Sequence, residues 1–128
     1  MSTRANILIK DKYDKQMFYR HSDGYPTGQK SLLTFMQLVK EGKLRDNVEQ
    51  SSGWLIILGH EENHYPKSYN DGWKVGAYEP CSDIHGDIEF YYELDLEKME
   101  IRVYRPNKLI GTIKKFDNTQ ILEGLGDD

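Results

Sequence analysis

Apolar and polar residues alternate along several segments of the chain, as they do in β-strands with one face in a core and the other in water. Residues 5–10 alternate in this way and are predicted to pair with residues 16–20 as an antiparallel hairpin across the charged turn 11–15. The alternation is clearest over residues 87–96. Its apolar set, which is predicted to face the core, is Ile88, Phe90, Tyr92, Leu94 and Leu96.

The period of the apolar residues changes to that of a helix after residue 30. The spacing i, i+3, i+4, i+7 is typical of an amphipathic helix and is kept by Leu32, Phe35, Met36 and Val39. Gly42 follows where such a helix would end. Asp46 is predicted to cap a second helix. Its run 54–58 is apolar on all sides and is therefore predicted to be deeply buried.

The remaining segments complete a sheet, with an irregular loop predicted over residues 21–28 and a long exposed loop over residues 60–72. Further strands are predicted over residues 73–79, 99–104 and 109–116. We therefore expect one α+β domain over residues 1–122: a mostly antiparallel sheet of five to six strands, with two helices inserted after the first hairpin and packed on one face. Both hairpins supply local pairing, so no long parallel crossover is required. The acidic residues 123–128 are expected to form a frayed tail.

Composition and charge narrow the classes of function. At 128 residues, with 38% apolar and 30% charged residues, the chain fits one globular domain. It lacks an apolar run near the ~20 residues of a membrane span, and its single cysteine, Cys81, agrees with a reducing compartment, so we expect a cytoplasmic protein. A net charge of −4 argues against sequence-independent nucleic-acid binding. The sequence contains neither a Walker loop nor a Gly-x-Gly-x-x-Gly motif, and no cofactor is expected.

One loop gathers residue types that commonly bind ligands. Arg20, His21, Asp23 and Tyr25 place a cation, an imidazole, a carboxylate and a phenol within six residues. Together with His85, they form a candidate small-ligand site at which a nucleotide would be bound or hydrolysed. This requires the loops of His21 and His85 to converge. The alternative is an ordinary Asp-Gly turn.

Two groups of metal-ligand residue types are present, but neither predicts a metal site. The first has spacings that match no metal motif, and it consists of His21, Asp23, His85 and Asp87. The second, His60-Glu-x-x-His64, has the letters of a helical zinc motif. Its flanking Gly59 and Pro66 predict a helix end or loop, and no third ligand is evident. We assign neither a metal nor catalytic residues, and enzymatic activity stays an open question.

A protein-binding face is the other candidate site. The polar side of strand 87–96 is acidic with one aromatic anchor, and it consists of Asp87, Glu89, Tyr91, Glu93 and Asp95. Tyrosine supplies a large contact area with a polar tip, and the carboxylates would meet a basic surface on a partner protein. A homo-oligomer that buries exposed aromatic residues against copies of the same chain is a further alternative.

Five segments carry distinctive runs: Met-Ser-Thr-Arg-Ala-Asn-Ile at the start, Tyr-Arg-His-Ser-Asp-Gly-Tyr-Pro (19–26), Gly-Trp-Leu-Ile (53–56), Trp-Lys-Val-Gly-Ala-Tyr-Glu-Pro (73–80) and His-Gly-Asp-Ile-Glu-Phe-Tyr-Tyr (85–92). In these segments the chain resembles a family of small uncharacterised proteins encoded by bacteriophages, prophages and neighbouring bacterial genomes. The resemblance covers most of residues 1–104 and carries no catalytic residues. It implies a phage protein that acts on its host, including the host's defence systems.

The resemblance and the acidic strand together give the leading hypothesis. It is a non-enzymatic binding protein that inhibits a host defence factor, similar in kind to an anti-CRISPR protein, through the acidic, tyrosine-bearing sheet face. The nucleotide site is the alternative.

Overall fold

The computed structural model describes residues 3–62 and 76–125, and within them the chain is an α+β protein with one open six-stranded sheet. The strands are β1 (Ala5–Lys10), β2 (Lys15–Arg20), β3 (Glu79–Cys81), β4 (Phe90–Asp95), β5 (Glu100–Arg105) and β6 (Lys108–Ile113). The helices between β2 and β3 are α1 (Lys30–Lys40), α2 (Val48–Ser51) and α3 (Trp54–Glu62). Short 3-10 helices cover Pro26–Gly28 and Thr119–Leu125. The predicted fold class is confirmed.

The strand order is β3-β2-β1-β4-β5-β6, and all neighbours are antiparallel except β1 and β4. Those two strands run parallel, with Ala5 beside Phe90 and Lys10 beside Asp95. The sheet is mostly antiparallel as predicted, but it contains one parallel crossover connection that the sequence reasoning did not require. The physical reason is the burial of apolar surface. The core-facing side chains of β1 and β4 are fully buried, and they lose more contact with water when the two strands lie side by side in the centre of the sheet than they would at an exposed edge.

One face of the sheet and the helices share a single hydrophobic core. The predicted apolar stripe of α1 is confirmed, since all four of its residues are buried. Gly42 follows α1 with φ +76°, a left-handed conformation that glycine adopts without strain and that ends the helix. Strands β1, β2, β4 and β5 contribute alternate residues to the core, as the period of two predicts: Ile7, Phe18, Phe90, Tyr92, Ile101 and Val103.

The second predicted helix differs from the expectation in four ways. It is two helices, α2 and α3, and its N-cap is Asn47 rather than Asp46, because the Asn47 side chain accepts the Gln50 N–H at 2.9 Å. The run 54–58 is buried on one side only, since Trp54 is 44% and Ile57 43% exposed. The helix also continues to Glu62, so His60 lies on α3 rather than in a loop.

The third strand lies later than predicted, at Glu79–Cys81, where its Pro80 is tolerated because β3 is an edge strand. Residues 76–78 precede it without strand structure. The predicted strand residues 73–75 and the predicted loop residues 63–72 lie outside the described residues. Residues 123–125 of the expected acidic tail belong to the 3-10 helix Thr119–Leu125, and residues 126–128 also lie outside the described part.

Candidate functional site

The side of the sheet opposite the helices, here called the open face, is crossed by the connection from β3 to β4. Because β3 lies beyond β2 while β4 lies beyond β1, residues 82–89 must pass over both intervening strands. Asn6 on β1 fixes this connection, since its Oδ1 accepts the His85 backbone N–H at 2.8 Å. Its Nδ2 donates to Phe18 O at 2.9 Å and to Cys81 Sγ at 3.5 Å. A fully buried asparagine thus ties three parts of the open face together.

Beside this connection lies a groove of about 1000 Å³. Its floor is formed by Leu8, Met17 and Tyr91, which come from three neighbouring strands and share the open face by register. Ile84, from the crossing connection, is 58% exposed beside it. The other lining residues are Lys15, Gln16, Pro80, Cys81, Ser82 and Asp83. A mainly apolar groove of this volume with a few polar groups suits a side chain or a small molecule.

The thiol in the groove is not an activated nucleophile. Burial raises the pKa of Cys81 above its ordinary value, and the hydrogen bond from Asn6 offsets this only in part. Because the thiolate is the reactive form, a thiol with a raised pKa stays protonated and inert near neutral pH.

The structure brings the two predicted histidine loops together around Tyr19. The His85 ring stacks on the Tyr19 ring at a centroid distance of 3.7 Å, and the His21 ring meets it edge-on at 4.6 Å. The separation of the two imidazole rings can therefore not exceed the sum of these two distances. His21 Nε2 also lies 3.2 Å from Glu79 Oε2.

Asp87 joins this aromatic cluster through the phenol. The Tyr19 hydroxyl donates to Asp87 at 3.0 Å, and Arg4 Nη1 donates to the same carboxylate at 3.1 Å. Burial, followed by the hydrogen bond to Asp87, raises the pKa of Tyr19 to about 12. The phenol therefore stays protonated as a donor at neutral pH. Arg4, Asp87 and His21 remain partly exposed at this end of the open face.

The other three predicted ligand residues point elsewhere. Arg20 follows Tyr19 in β2 and so faces the opposite side of the sheet, where it is fully buried. Its Nε donates to Ser22 O at 2.6 Å and its Nη1 to the Tyr78 hydroxyl at 2.7 Å. Asp23 accepts the Tyr25 hydroxyl at 3.0 Å within its own turn. Of the five predicted residues, only His21 and His85 meet around Tyr19.

Within residues 3–62 and 76–125, no three His, Cys, Asp or Glu side chains are grouped so that they could hold a metal ion. Asp23 in particular is engaged in its turn, while Asp87 binds Tyr19 and Arg4. His60 lies near the end of α3, and His64 is outside the described residues.

The alternation predicted that the acidic side of β4 faces water, but two of its carboxylates are largely buried and form ion pairs. Asp95 is 3% exposed, and the Glu93 side chain is largely buried too. Both bind Arg102 of β5, with 3.2 Å between Arg102 Nη2 and Asp95, while Lys10 Nζ lies 3.2 Å from Glu93. Arg102 also binds Glu100. The reason for the difference is cross-strand pairing, which places cations of β1 and β5 on both sides of β4.

These ion pairs set the charge of the two carboxylates. Burial alone would raise the pKa of Glu93, but hydrogen bonds from Arg102 and Lys10 outweigh it, so its pKa lies below the ordinary value. For Asp95, burial is outweighed by the Lys98 N–H and Arg102, and its pKa is lowered as well. Both groups are ionised but already neutralised within the sheet. Asp87 is likewise paired, with Arg4, which leaves Glu89 and Tyr91 as the row's available members.

Sequence reasoning missed the residues that build the open face: Asn6, Met17, Tyr19 and Ile84. One signal was present, because asparagine is depleted in strands, and Asn6 stands inside the strand Ala5–Lys10. The groove lining has no such signal, since Met17 and Ile84 are far apart in sequence and meet only when residues 82–89 cross the sheet.

Comparisons with protein-family models, curated proteins and solved structures found no match to this chain. Among the described helices, none combines the length and the apolar character that crossing a bilayer demands.

Proposed function

We propose that this is a non-enzymatic binding protein of phage type, which blocks a host factor by taking a segment of that protein into the groove on the open face. The observation that supports the proposal is the groove itself, with its apolar floor of Leu8, Met17 and Tyr91 and its exposed Ile84. Interfaces concentrate their binding energy where aromatic and aliphatic side chains can be fully desolvated. The resemblance to phage proteins supports a host target.

The polar groups around the groove favour a partner segment with a basic residue. Asp83 lines the groove and is exposed, and Glu89 is exposed two residues before Tyr91. Within the described residues, neither carboxylate has an ion pair, unlike the carboxylates of β4. A segment that places an apolar side chain on the floor and a Lys or Arg beside Asp83 would match this arrangement.

Tyr91 is suited to anchor such a segment. Burial raises the pKa of Tyr91 to about 12, with a further contribution from Glu93, so the phenol is neutral in any physiological buffer. A neutral tyrosine offers its ring face to apolar groups and its hydroxyl to a backbone carbonyl.

A second candidate function follows from the convergence of His21 and His85. The exposed residue His85 extends the Tyr19 stack, and Arg4 is close by, so a nucleobase could stack on the imidazole while a phosphate met the guanidinium. This is the nucleotide alternative, with Arg4 in place of the buried Arg20.

An affinity capture from host lysate, with mass spectrometry of both protein and small-molecule eluates, tests the two candidates. The groove variant is Ile84→Asp, and its matched control is Ile121→Asp, since Ile121 is also exposed but lies on the 3-10 helix Thr119–Leu125. We expect one host protein to be captured by the wild type and the control but not by Ile84→Asp.

Capture that is equal for Ile84→Asp and Ile121→Asp would remove the groove from the proposal. A nucleotide in the eluate of the wild type that disappears with His85→Ala would favour the second candidate.

A further inference from the structure

Strand β6 forms a long open edge of the sheet. The sheet ends at β3 on one side and at β6 on the other, and only β5 pairs with β6. Across residues 3–62 and 76–125, no main-chain group outside the sheet hydrogen-bonds to Lys108–Ile113. Alternate residues of an edge strand direct their N–H and C=O groups away from the sheet, so a further strand could pair with β6. The opposite edge is much less suited to this, because β3 has three residues and includes Pro80, which lacks an N–H.

The residues along this edge are basic, although the chain as a whole is acidic. Residues 105–115 include four cations and no carboxylate, whereas the full chain has 21 acidic and 17 basic residues. The four cations are all exposed, and they are Arg105, Lys108, Lys114 and Lys115. In the part of the chain that the structure describes, none of them forms an ion pair, and Arg105 instead covers the Phe90 ring at 4.8 Å. The positive charge at this edge is therefore not neutralised by nearby carboxylates.

We propose that β6 binds an extended, acidic segment of a partner protein, which joins the sheet as a further strand beside Lys108–Ile113. Backbone hydrogen bonds along a sheet edge provide affinity, and the side chains of the added strand provide selectivity. Lys108 lies at the start of β6 and Lys114 just beyond its end, about 20 Å away in an extended chain. A matching segment carries carboxylates about six residues apart, near the two ends of the added strand.

The chemistry of the edge favours this occupant over two others. Two copies of β6 paired with each other would bring the same four cations of both chains together, and like charges on paired strands are destabilising. A single-stranded nucleic acid would neutralise the cations, but its sugar-phosphate backbone has no N–H donors for the outward C=O groups of β6. An acidic peptide strand supplies donors, acceptors and negative charge together.

The β6 edge and the groove are separate surfaces. The groove is lined by residues of β1, β2, β3 and β4 and of the connection after β3, and β5 lies between those strands and β6. One chain can therefore hold one segment in the groove and another at β6. The inference does not depend on the proposed function.

A displayed library of short random peptides, selected against the immobilised full chain, provides the probe. We expect the enriched peptides to be rich in β-branched residues and to carry Asp or Glu near both ends. The affinity of one enriched peptide is then measured by fluorescence anisotropy. Lys108→Glu and Lys114→Glu should each raise its dissociation constant about fivefold, because each replaces an attractive charge by a repulsive one. Lys40→Glu is the matched control, since Lys40 is exposed at the end of α1, and it should leave the constant nearly unchanged.

Backbone pairing is tested with the wild-type chain, so this test does not depend on the stability of a variant. Two versions of the peptide, N-methylated on odd or on even residues, keep the same charges, but only one of them loses the N–H groups that face β6. We expect one methylation pattern to abolish binding and the other to preserve it. Equal affinity for the two patterns, an affinity that Lys108→Glu does not change, or a selection that enriches no acidic peptide would overturn the inference. An oligothymidylate that binds the wild type but not Lys108→Glu, in the absence of acidic peptides, would assign the edge to nucleic acid instead.

Discussion

Replacing Arg102 by methionine tests the charge network that neutralises the open face. The Arg102 side chain is 15% exposed and lies between the side chains of Glu93, Asp95 and Glu100, which are 15, 5 and 13% exposed. Removing one partner of a buried ion pair costs about 3 to 5 kcal/mol because the other charge is left uncompensated. Lys10 still lies 3.2 Å from Glu93 and 4.0 Å from Asp95, so we expect the low end, about 3 kcal/mol at neutral pH.

The pH dependence separates this electrostatic loss from a loss of packing. In the wild type the pKa values of Glu93 and Asp95 are lowered, so their ionisation stabilises the fold above the unfolded-state values near 4. That stabilisation is lost as the pH falls through the lower folded-state values. Without Arg102, the pKa of Glu93 should rise, because only Lys10 then opposes the effect of burial, whereas Asp95 keeps the N–H donors of Lys98 and Glu97. The variant's deficit should therefore shrink by about 1 kcal/mol near pH 4, where Glu93 takes up a proton more readily.

Urea unfolding at about pH 7.5 and about pH 4 provides the measurement. With an m-value near 1.5 kcal/mol/M, the expected loss lowers the urea midpoint by about 2 M at the higher pH. Arg105→Met on the same strand is the control, since Arg105 is exposed and only covers the Phe90 ring at 4.8 Å, and it should cost less than about 1 kcal/mol. An equal deficit of Arg102→Met at both pH values would refute the reasoning.

Two further outcomes follow from the packing. Gly59→Ala should lower the free energy of unfolding by about 2 kcal/mol, because the new Cβ would lie 2.5 Å from a ring carbon of the buried Tyr78. Gly53→Ala is the control, since a Cβ at that position would have nothing within 4 Å, and it should be neutral or stabilising by up to about 1 kcal/mol. Equal effects in thermal unfolding would contradict this. Tyr19 and Tyr91 should ionise only at about pH 12, in a rapid pH jump followed by phenolate absorbance. Their raised pKa values mean that the stabilisation they provide is present below pH 10 and is lost as the pH rises towards 12.

Local patterns predicted the elements whose period is unbroken. The alternation in Ala5–Lys10 and the helical spacing in α1 each depend on neighbouring residues alone, and both elements lie where they were expected. The strand Glu79–Cys81 was misplaced because a three-residue edge strand with a proline has no period to detect. The parallel pairing of β1 with β4 was missed because it joins distant residues, and no local signal distinguishes it from a hairpin.

The candidate site was predictable only in part, for the same reason. The convergence of His21 and His85 was a stated requirement, and the structure meets it through Tyr19, which sequence reasoning had not singled out. The exposure of Asp95 was wrongly predicted because alternation reports which way a side chain points, but not whether Arg102 and Lys10 from adjacent strands cover it.

The parallel contact between β1 and β4 also has a kinetic consequence. The hairpin β1–β2 and the meander β4–β5–β6 can each form from residues close together in the chain, but they join only along the pairing of Ala5–Lys10 with Phe90–Asp95. Closing the long intervening loop costs entropy before any of that pairing is gained, so the pairing of β1 with β4 should form late in folding. Until the two strands pair, β1 and β4 are each an unpaired edge of a half-sheet, and this is the state in which a newly made chain is most prone to aggregate.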